Sequence, residues 1–470
     1  MQRPNILILY TDQHRWDALG VSGNPDIQTP HLDQLAAQGI HFNHYFVQHP
    51  LCMPSRVSLL TGLYPTTLGI TEMGVPVPEG FMTLPQLLHT VGYTTAHIGK
   101  LHFLPHANRD HRTPHPSYGF DTLEVSDEPG VYEDAYRAWV RRVAPEQLDH
   151  LSVGLPPATY TWYTTMGIQD MVNHLSEEPR FDFGPPQPFP GDERYTHSAF
   201  VAEQTLAFLS RHQQREPFLC IASFFAPHAP WVVPQRYLDL YDPTTLTLPP
   251  YPAELEPNRV AANCSEDNLR AARHGYYAMI SEVDAYVGRI LAHLDQLELT
   301  ENTIVFFLSD HGEWLGDHLR YGKGYPGDDA VSRVPLIVRW PAGVVAPGRT
   351  ITQIVEAVDV VPTLLECVGM QIPPRLQGQS FAQALTNEAW VGRGAALMEY
   401  TGWKAFRTPR YRYLIHAGGH EKLWDLQHDP GEYVDVANDT TYRDVLAEQR
   451  RLLLQRLIEI ERPLPRTWPY

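Results

Sequence analysis

The chain has 470 residues, 43% of them hydrophobic, and a formal net charge of −18 from 36 basic and 54 acidic residues. This length predicts one large domain with a smaller one attached. The charge excludes general binding to nucleic acid or to an anionic membrane surface. The apolar run in MQRPNILILYTDQH is too short for a signal peptide, and no run reaches the length of a membrane span, so we expect a cytoplasmic protein.

Three apolar runs without polar alternation predict strands that are covered on both faces, at residues 5–10, 217–225 and 303–308. Residues 94–98 are a fourth candidate strand. Helical patterns separate them, at residues 29–39, 83–91, 198–213 and 267–297. Strands that alternate with helices predict an α/β fold with a large, mostly parallel sheet sandwiched by helices.

The C-terminal part of the chain has a different pattern. A helix is predicted over residues 359–367, and four short strands follow, at residues 395–400, 404–407, 411–416 and 422–425. A further helix is predicted over residues 439–460. We therefore predict a catalytic α/β domain over residues 1–384 and an antiparallel sheet with a helix over residues 385–470. The tail RPLPRTWPY is expected to dock on the body or on a second copy of the chain in a homo-oligomer.

Polar side chains follow each of the four predicted strands of the large sheet. In doubly wound sheets, ligands bind beyond the carboxyl ends of the strands. The residues delivered to that edge are Asp12, Lys100, His102, His228, Asp310 and His311. Carboxylates, imidazoles and an ammonium group at one edge predict a charged site, with ordinary surface loops as the alternative.

Asp12 and Asp310 each follow a long apolar strand. If the two strands are neighbours, their carboxylates converge at a partly buried edge, where two unpaired anions would be costly. A divalent cation resolves that conflict. Gln13 could add an oxygen ligand and His311 a nitrogen, and this oxygen-rich set favours Ca²⁺, Mg²⁺ or Mn²⁺ over zinc.

Cys52 differs from the other three cysteines in its polar, helix-starting surroundings. The four are scattered without a CxxC pair, which argues against a disulfide framework and a structural zinc site. Pro54 fits the first turn of a helix running to about residue 64, and Arg56 lies one turn further in. A thiolate at a helix start is expected to be acidified and reactive, so Cys52 is a nucleophile candidate, with a buried structural thiol as the alternative.

Several segments together resemble the type I sulfatases of the alkaline phosphatase superfamily. The sequence C-M-P-S-R at residues 52–56 matches the sulfatase motif C-x-P-S-R and continues into L-T-G. The other similar segments, in family order, are RPNILILYTDQ, GKLH at residues 99–102, PHAP at 227–230, SDHG at 309–312, the lysine at 323 before RVPL, and LWDLQHDPGEYVDVA.

The resemblance implies an alkaline phosphatase-like fold and hydrolysis of a small anionic sulfate ester with an aryl, alkyl or sugar leaving group. It implies that a formylglycine-generating enzyme converts Cys52 to formylglycine (3-oxoalanine), which hydrates to a gem-diol. One hydroxyl attacks sulfur and the other then releases sulfate. The metal ligands implied are Asp12, Gln13, Cys52, Asp310 and His311, with Ca²⁺ the expected ion and Mn²⁺ or Mg²⁺ the alternatives.

The same resemblance assigns roles to the remaining site residues. Lys100 and Lys323 would hold the sulfuryl oxygens. His228 or Lys323 would protonate the leaving oxygen, His102 would help to deprotonate the second hydroxyl, and Arg56 would orient the diol.

Two other functions stay open. The Asp-Gln and Asp-His pairs also resemble those of phosphonate monoester hydrolases and phosphodiesterases. A non-catalytic binding protein with unmodified Cys52 is the alternative of another class. Residues 105–195, including the run YTWY at 160–163, are irregular and are expected either to shape the mouth of the pocket or to serve in packing.

Overall fold

The fold is seen in a computed structural model that describes residues 3–106, 113–157, 159–161, 180, 182–212 and 216–461. Its strands are β1 Asn5–Thr11, β2 Ile40–Phe42, β3 Tyr45–Phe46, β4 Thr94–Gly99, β5 Thr122–Val125, β6 Gln187–Pro188, β7 Phe218–Ser223, β8 Val232–Val233, β9 Thr303–Ser309, β10 Arg333–Val334, β11 Leu336–Arg339, β12 Arg349–Ile351, β13 Val355–Glu356, β14 Ala396–Tyr400, β15 Trp403–Arg407, β16 Tyr411–His416 and β17 Glu421–Asp425.

The α-helices whose two ends both lie in the described residues surround these strands. They are α1 Pro30–Ala37, α2 Cys52–Thr61, α3 Pro65–Leu68, α4 Leu84–His89, α5 Ala135–Val143, α6 His197–His212, α7 Gln235–Leu238, α8 Glu266–Gln296, α9 Asp329–Ser332, α10 Val360–Cys367, α11 Ala382–Thr386 and α12 Arg443–Glu459.

The central sheet has eight strands in the order β12-β2-β11-β9-β1-β7-β4-β5. All neighbours in it are parallel except β11, which runs antiparallel to both β9 and β2. The four predicted strands are consecutive in this order, as β9-β1-β7-β4. The predicted fold class, a large and mostly parallel sheet between helices, is therefore confirmed.

The central strand β1 supplies both faces of the core. Leu7 and Leu9 pack in one hydrophobic cluster, which includes residues of α6 and α8. Ile6 and Ile8 pack in a second cluster, which includes residues of α10. Because side chains alternate across a strand, an unbroken apolar run is what burial on both faces requires.

Local signals define the helix ends that were predicted. Thr83 and Gln86 form a capping box at the start of α4. Helix α2 ends at Thr61, three residues before the expected position, because Gly62 takes a left-handed conformation with φ 67° and stops the helix.

The C-terminal residues form the predicted antiparallel sheet, in the order β14-β15-β16-β17, with α12 after it. Ion pairs join this sheet to the main body. For example, Nη2 of Arg407 in β15 lies 3.0 Å from Oδ2 of Asp329 in α9. The division between residues 384 and 385 stays a prediction, and the tail expected to dock, residues 462–470, lies outside the described residues.

The four cysteines are free thiols. Cys220 is buried in β7, Cys264 is buried in a loop, and Cys367 at the end of α10 is half-buried. In the part of the chain that the structure describes, no helix combines the length and apolarity needed to cross a bilayer.

Candidate active site

The strand order brings the predicted site residues to one edge of the sheet. Thr11 at the end of β1 pairs with Ser309 at the end of β9, so Asp12 and Asp310 emerge side by side. On the other side of β1, Tyr10 pairs with Ser223 of β7, which in turn pairs with Gly99 of β4. The loops that carry His228 and Lys100 therefore start at the same edge.

Cys52 is the first residue of α2 and is 1% exposed. Its sulfur lies 3.2 Å from Nε2 of His311 and 3.9 Å from Oδ1 of Asp12. Lys323, from the loop after β9, donates to the sulfur at 2.8 Å and also lies 3.1 Å from Nε2 of His311. The thiol thus stands between the strand-end carboxylates and a lysine.

Asp12, Cys52, Asp310 and His311 place one possible ligand atom each within 4.8 Å of one another, and all four are buried. Gln13 could add an oxygen ligand, because its side-chain oxygen is buried without a hydrogen-bond partner. Two carboxylates, an amide oxygen and an imidazole are a donor set for a hard divalent cation. The residues present therefore fit the ion that the sequence predicted.

The backbone at Gln13 is held in an unusual conformation, with φ 69°. Its N–H donates to Oδ1 of Asp310 at 3.0 Å, and its carbonyl oxygen accepts from the Tyr276 hydroxyl at 2.6 Å. A left-handed conformation is costly for glutamine and persists only where the surroundings require it. The two hydrogen bonds of the Gln13 backbone stabilise this conformation.

Arg56 joins the two carboxylates from within helix α2. Its Nε donates to Oδ2 of Asp310 at 2.7 Å, and Nη2 lies 3.3 Å from Oδ2 of Asp12. Its Nη1 donates to the Ser223 hydroxyl at 3.0 Å and to the carbonyl oxygen of Lys100 at 2.6 Å. The guanidinium therefore links the ends of β1, β4, β7 and β9.

Lys100 is fully buried, and its Nζ lies 2.7 Å from Oδ2 of Asp12.

His102 has a left-handed backbone with φ 54°, and its backbone N–H donates to Oδ1 of Asp127 at 2.8 Å. Its ring lies 4.2 Å from that of His106. His106 is half-buried, and its Nε2 lies 3.5 Å from Oε1 of Glu128.

His228 is half-buried, and its Nδ1 hydrogen-bonds to the carbonyl oxygen of Ala229 at 2.6 Å. A carbonyl only accepts, so Nδ1 carries the hydrogen and Nε2 has a free lone pair in the neutral ring. The ring packs against Phe225, with 4.9 Å between centroids. The hydrogen bond to Ala229 and the packing against Phe225 thus fix the orientation of the His228 ring.

Burial and charge act in opposite directions on Asp12. Burial alone would raise the pKa of this carboxyl, but the positive charges of Lys100, Lys323 and Arg56 hold it well below its usual range. Burial lowers the pKa of His311 to about 4, so its ring is neutral and able to bind a cation at neutral pH. The same cause lowers the pKa of His102 and of His228.

The Cys52 thiol corrects one prediction. A helix start was expected to acidify it, yet burial raises its pKa to about 11, and the negative charge of Asp12 acts in the same direction. Lys323 and Lys100 oppose this shift without cancelling it. The unmodified cysteine is thus a protonated and weak nucleophile at neutral pH.

Sequence reasoning missed three buried charged residues at the site. Glu313 accepts a hydrogen bond from the Gln13 amide, and Glu128 lies 3.9 Å from Nζ of Lys100 and pairs with Arg180. Burial raises the pKa of Glu313 to about 7, and its hydrogen bonds oppose the shift. Glu313 lies three residues after Asp310, so its place just beyond a predicted strand was a signal in the sequence. Glu128 and Arg180 follow none of the predicted strands, and the sequence gives no comparable signal for them.

The aromatic run predicted to shape the pocket mouth is described only in part. Tyr160 is half-buried and packs beside a small cluster that includes Val131 and Leu155. The next two aromatic residues, 162 and 163, lie outside the described residues.

Known proteins match the chain over almost its whole length. A family model described as sulfatase matches residues 4–370, and one described as N-sulphoglucosamine sulphohydrolase, C-terminal, matches residues 316–459. An arylsulfatase of Clostridium perfringens is 28% identical over 97% of this chain and 94% of its own. An ulvan-active sulfatase of Formosa agariphila is 28% identical over 97% of this chain and 82% of its own.

Among solved structures, the phosphonate monoester hydrolase of Agrobacterium radiobacter is 25% identical, with a TM-score of 0.81 over 98% of this chain and 96% of its own. This likeness and the family match agree with the strand order and with the residues gathered at the sheet edge. The chain therefore belongs to the sulfatase family, the sulfuric ester hydrolases of the alkaline phosphatase superfamily.

Proposed function

We propose that this protein hydrolyses sulfate monoesters with a formylglycine formed from Cys52 and a divalent cation held by Asp12, Gln13, Asp310 and His311. One observation carries the proposal. The Cys52 sulfur lies within 4 Å of the Asp12 carboxylate, the His311 imidazole and the Lys323 ammonium at the start of a helix. In the modified residue, the oxygens of the hydrated aldehyde would stand where this sulfur stands.

Conversion of Cys52 to formylglycine would replace a poor nucleophile with a better one. A thiol with a pKa of about 11 is a poor nucleophile at neutral pH, whereas a hydrated aldehyde presents two hydroxyl groups on one carbon. One hydroxyl attacks the sulfur atom of the sulfate ester, and the bond between that atom and the alcohol oxygen breaks. The second hydroxyl then loses its proton, the bond between the formylglycine carbon and the sulfate oxygen breaks, and the aldehyde forms again.

The donor set supports a cation at this place. A bound divalent cation would supply positive charge that favours ionisation of the attacking hydroxyl and stabilises charge on the sulfuryl group. Oxygens of Asp12, Asp310 and Gln13 favour Ca²⁺, and the imidazole of His311 keeps Mn²⁺ and Mg²⁺ as alternatives. Arg56 pairs with Oδ2 of both aspartates and offsets part of their charge.

Lys100 and Lys323 supply the remaining positive charge. Both lie near the reacting position, so they would stabilise the sulfuryl oxygens in the transition state. Burial lowers the pKa of His228 and so disfavours the proton that a general acid needs, whereas Nζ of Lys323 donates a hydrogen bond to the Cys52 sulfur at 2.8 Å. These observations favour Lys323 as the donor to the leaving oxygen. His102, neutral for the same reason as His228, suits the role of base.

Hydrolysis of phosphonate monoesters or phosphodiesters is the second candidate. The likeness to a phosphonate monoester hydrolase at a TM-score of 0.81 favours it, as does the resemblance of the Asp12-Gln13 and Asp310-His311 pairs to those of such hydrolases. Two substrates with the same phenol leaving group, one a sulfate monoester and one a phosphodiester, separate the two activities. We expect the higher kcat/KM for the sulfate ester, and a higher value for the phosphodiester would contradict the proposal.

Tryptic mass spectrometry of the protein made with a formylglycine-generating enzyme tests the nucleophile. Conversion of Cys52 lowers the mass of its peptide by about 18 Da. We expect that loss and expect Cys52→Ala to lose at least about a thousandfold in kcat. An unconverted Cys52 would favour the non-catalytic binding protein. The formylglycine-generating enzyme as partner, cytoplasmic location and self-association stay predictions.

A further inference from the structure

Glu313 is a fully buried carboxylate in the loop after β9 that the reaction does not itself use. Its Oε1 accepts from the backbone N–H of Leu315 at 2.9 Å and of Gly322 at 2.5 Å. Its Oε2 accepts a short hydrogen bond from the side-chain amide of Gln13. The carboxylate therefore binds its own loop, the residue before Lys323 and one proposed cation ligand at once.

The contact with Glu313 decides which way the Gln13 amide faces. A side-chain amide has one donating NH₂ group and one accepting oxygen. With the NH₂ group held by Glu313, the oxygen is turned away from it, and this oxygen is buried without a partner. Because the backbone N–H and carbonyl of Gln13 are also hydrogen-bonded, the amide oxygen is the group of this residue left for a ligand.

We propose that Glu313 is a positioning residue that acts through Gln13, turning the amide oxygen of Gln13 toward the cation. The inference rests on the proposed function for the presence of that cation. Carboxylates and carbonyls that orient metal ligands are commonly worth about 10- to 100-fold in metal affinity. Glu313 is expected to contribute on this scale.

The contact between residues 13 and 313 also limits which combinations of side chains these two positions can hold. Two carboxylates in contact would repel, and two amides would let Gln13 turn its oxygen toward residue 313 and its NH₂ group toward the cation. One carboxylate and one amide satisfy both needs in either order. In the exchanged pair, the oxygen of a glutamine at 313 still accepts from Leu315 and Gly322, and its NH₂ group donates to the carboxylate at 13.

The test measures binding of Ca²⁺ and Mn²⁺ to the chelator-treated, full-length protein by calorimetry, without turnover. We expect Glu313→Gln to weaken binding about 10- to 100-fold. The exchange Gln13→Glu with Glu313→Gln is expected to restore wild-type affinity or exceed it. Glu282→Gln, a matched change at a buried carboxylate of helix α8, is expected to leave affinity unchanged.

A double-mutant cycle separates positioning from a general structural effect. In a Gln13→Leu background, Glu313→Gln is expected to cause no further loss, because the amide on which Glu313 acts is gone. An equal loss in both backgrounds would overturn the proposal, as would an unchanged Kd for Glu313→Gln alone. Failure of wild-type protein to bind either cation would instead overturn the cation site itself and this inference with it.

Discussion

Two clusters of buried charge in this protein differ in how their oxygens are used. At the junction with the C-terminal sheet, Glu356 accepts from Tyr64, Leu397 and Arg456. Asp359 accepts from the backbone of Glu356 and Gln379 and from Arg393. Each oxygen there has a donor, and two carboxylates face two guanidinium groups.

The edge of the central sheet is arranged differently. Oδ1 of Asp12 has the Cys52 sulfur at 3.9 Å and His311 at 3.5 Å, and the amide oxygen of Gln13 has no partner. Buried polar groups are ordinarily satisfied, so an unpartnered amide oxygen beside two carboxylates is consistent with the cation site proposed here. At the junction cluster, by contrast, every carboxylate oxygen already accepts from the protein itself.

Replacement of Arg393 tests the structural half of this comparison. Arg393→Met leaves Asp359 and Glu356 with one guanidinium group between them, and an uncompensated buried charge costs about 3–5 kcal/mol of unfolding free energy. Urea denaturation measures the loss, with Arg450→Met as the control, because the pair of Arg450 with Glu421 is largely exposed on the arginine side. Equal losses in the two variants would show that the junction cluster is not structural, and kcat of the folded fraction is expected to be unchanged.

Replacement of Lys323 tests the catalytic half. Lys323→Ala removes a charge that faces the reacting position, and we expect kcat to fall about 100- to 1,000-fold. The unfolding free energy is expected to change by less than about 1 kcal/mol. Steady-state rates with a sulfate ester, together with urea denaturation, measure both effects. Lys422→Ala, on the C-terminal sheet, is the control, and a kcat for Lys323→Ala within threefold of that control would contradict the catalytic role.

Glu282 sharpens the comparison, because hydroxyl groups rather than cations contact its carboxylate. It accepts from Thr196 at 2.8 Å and Ser198 at 3.1 Å, and burial raises its pKa from 4.5 to about 7. A raised carboxyl pKa means that the folded state binds the extra proton, so stability falls as pH rises from about 4.5 to about 7.

Glu282→Gln is expected to remove that dependence and to gain up to about 3 kcal/mol over wild type above pH 7. Thermal denaturation at several values between pH 5 and pH 8 measures it, with Glu203→Gln as the surface control. A gain that does not grow with pH would contradict the assignment.

The sequence predicted the strands that matter most for the site. Residues 5–10 and 303–308 lie within one residue of β1 and β9, because burial on both faces demands an unbroken apolar run. Strands β2 and β12 were not predicted, since three residues are too few to show a pattern. They depend on partners distant in the chain.

The site was predictable where chemistry follows a strand, as at Asp12 and Asp310. Glu128 and Arg180 were not, because each acts through a partner brought close only by folding. The pKa of Cys52 was predicted in the wrong direction for a similar reason. The helix start is visible in the sequence, whereas the depth of burial that outweighs it is not.

The burial of Cys52 has a consequence in time. The groups that cover its sulfur include His311, which follows it by 259 residues in the chain. At about 5–20 residues per second, a ribosome needs roughly 13–52 s to make that stretch. Until then β9 is absent and this cover cannot form. The enzyme proposed to modify Cys52 would therefore have free access to the thiol only for this interval, and slower translation between the two positions would lengthen the interval.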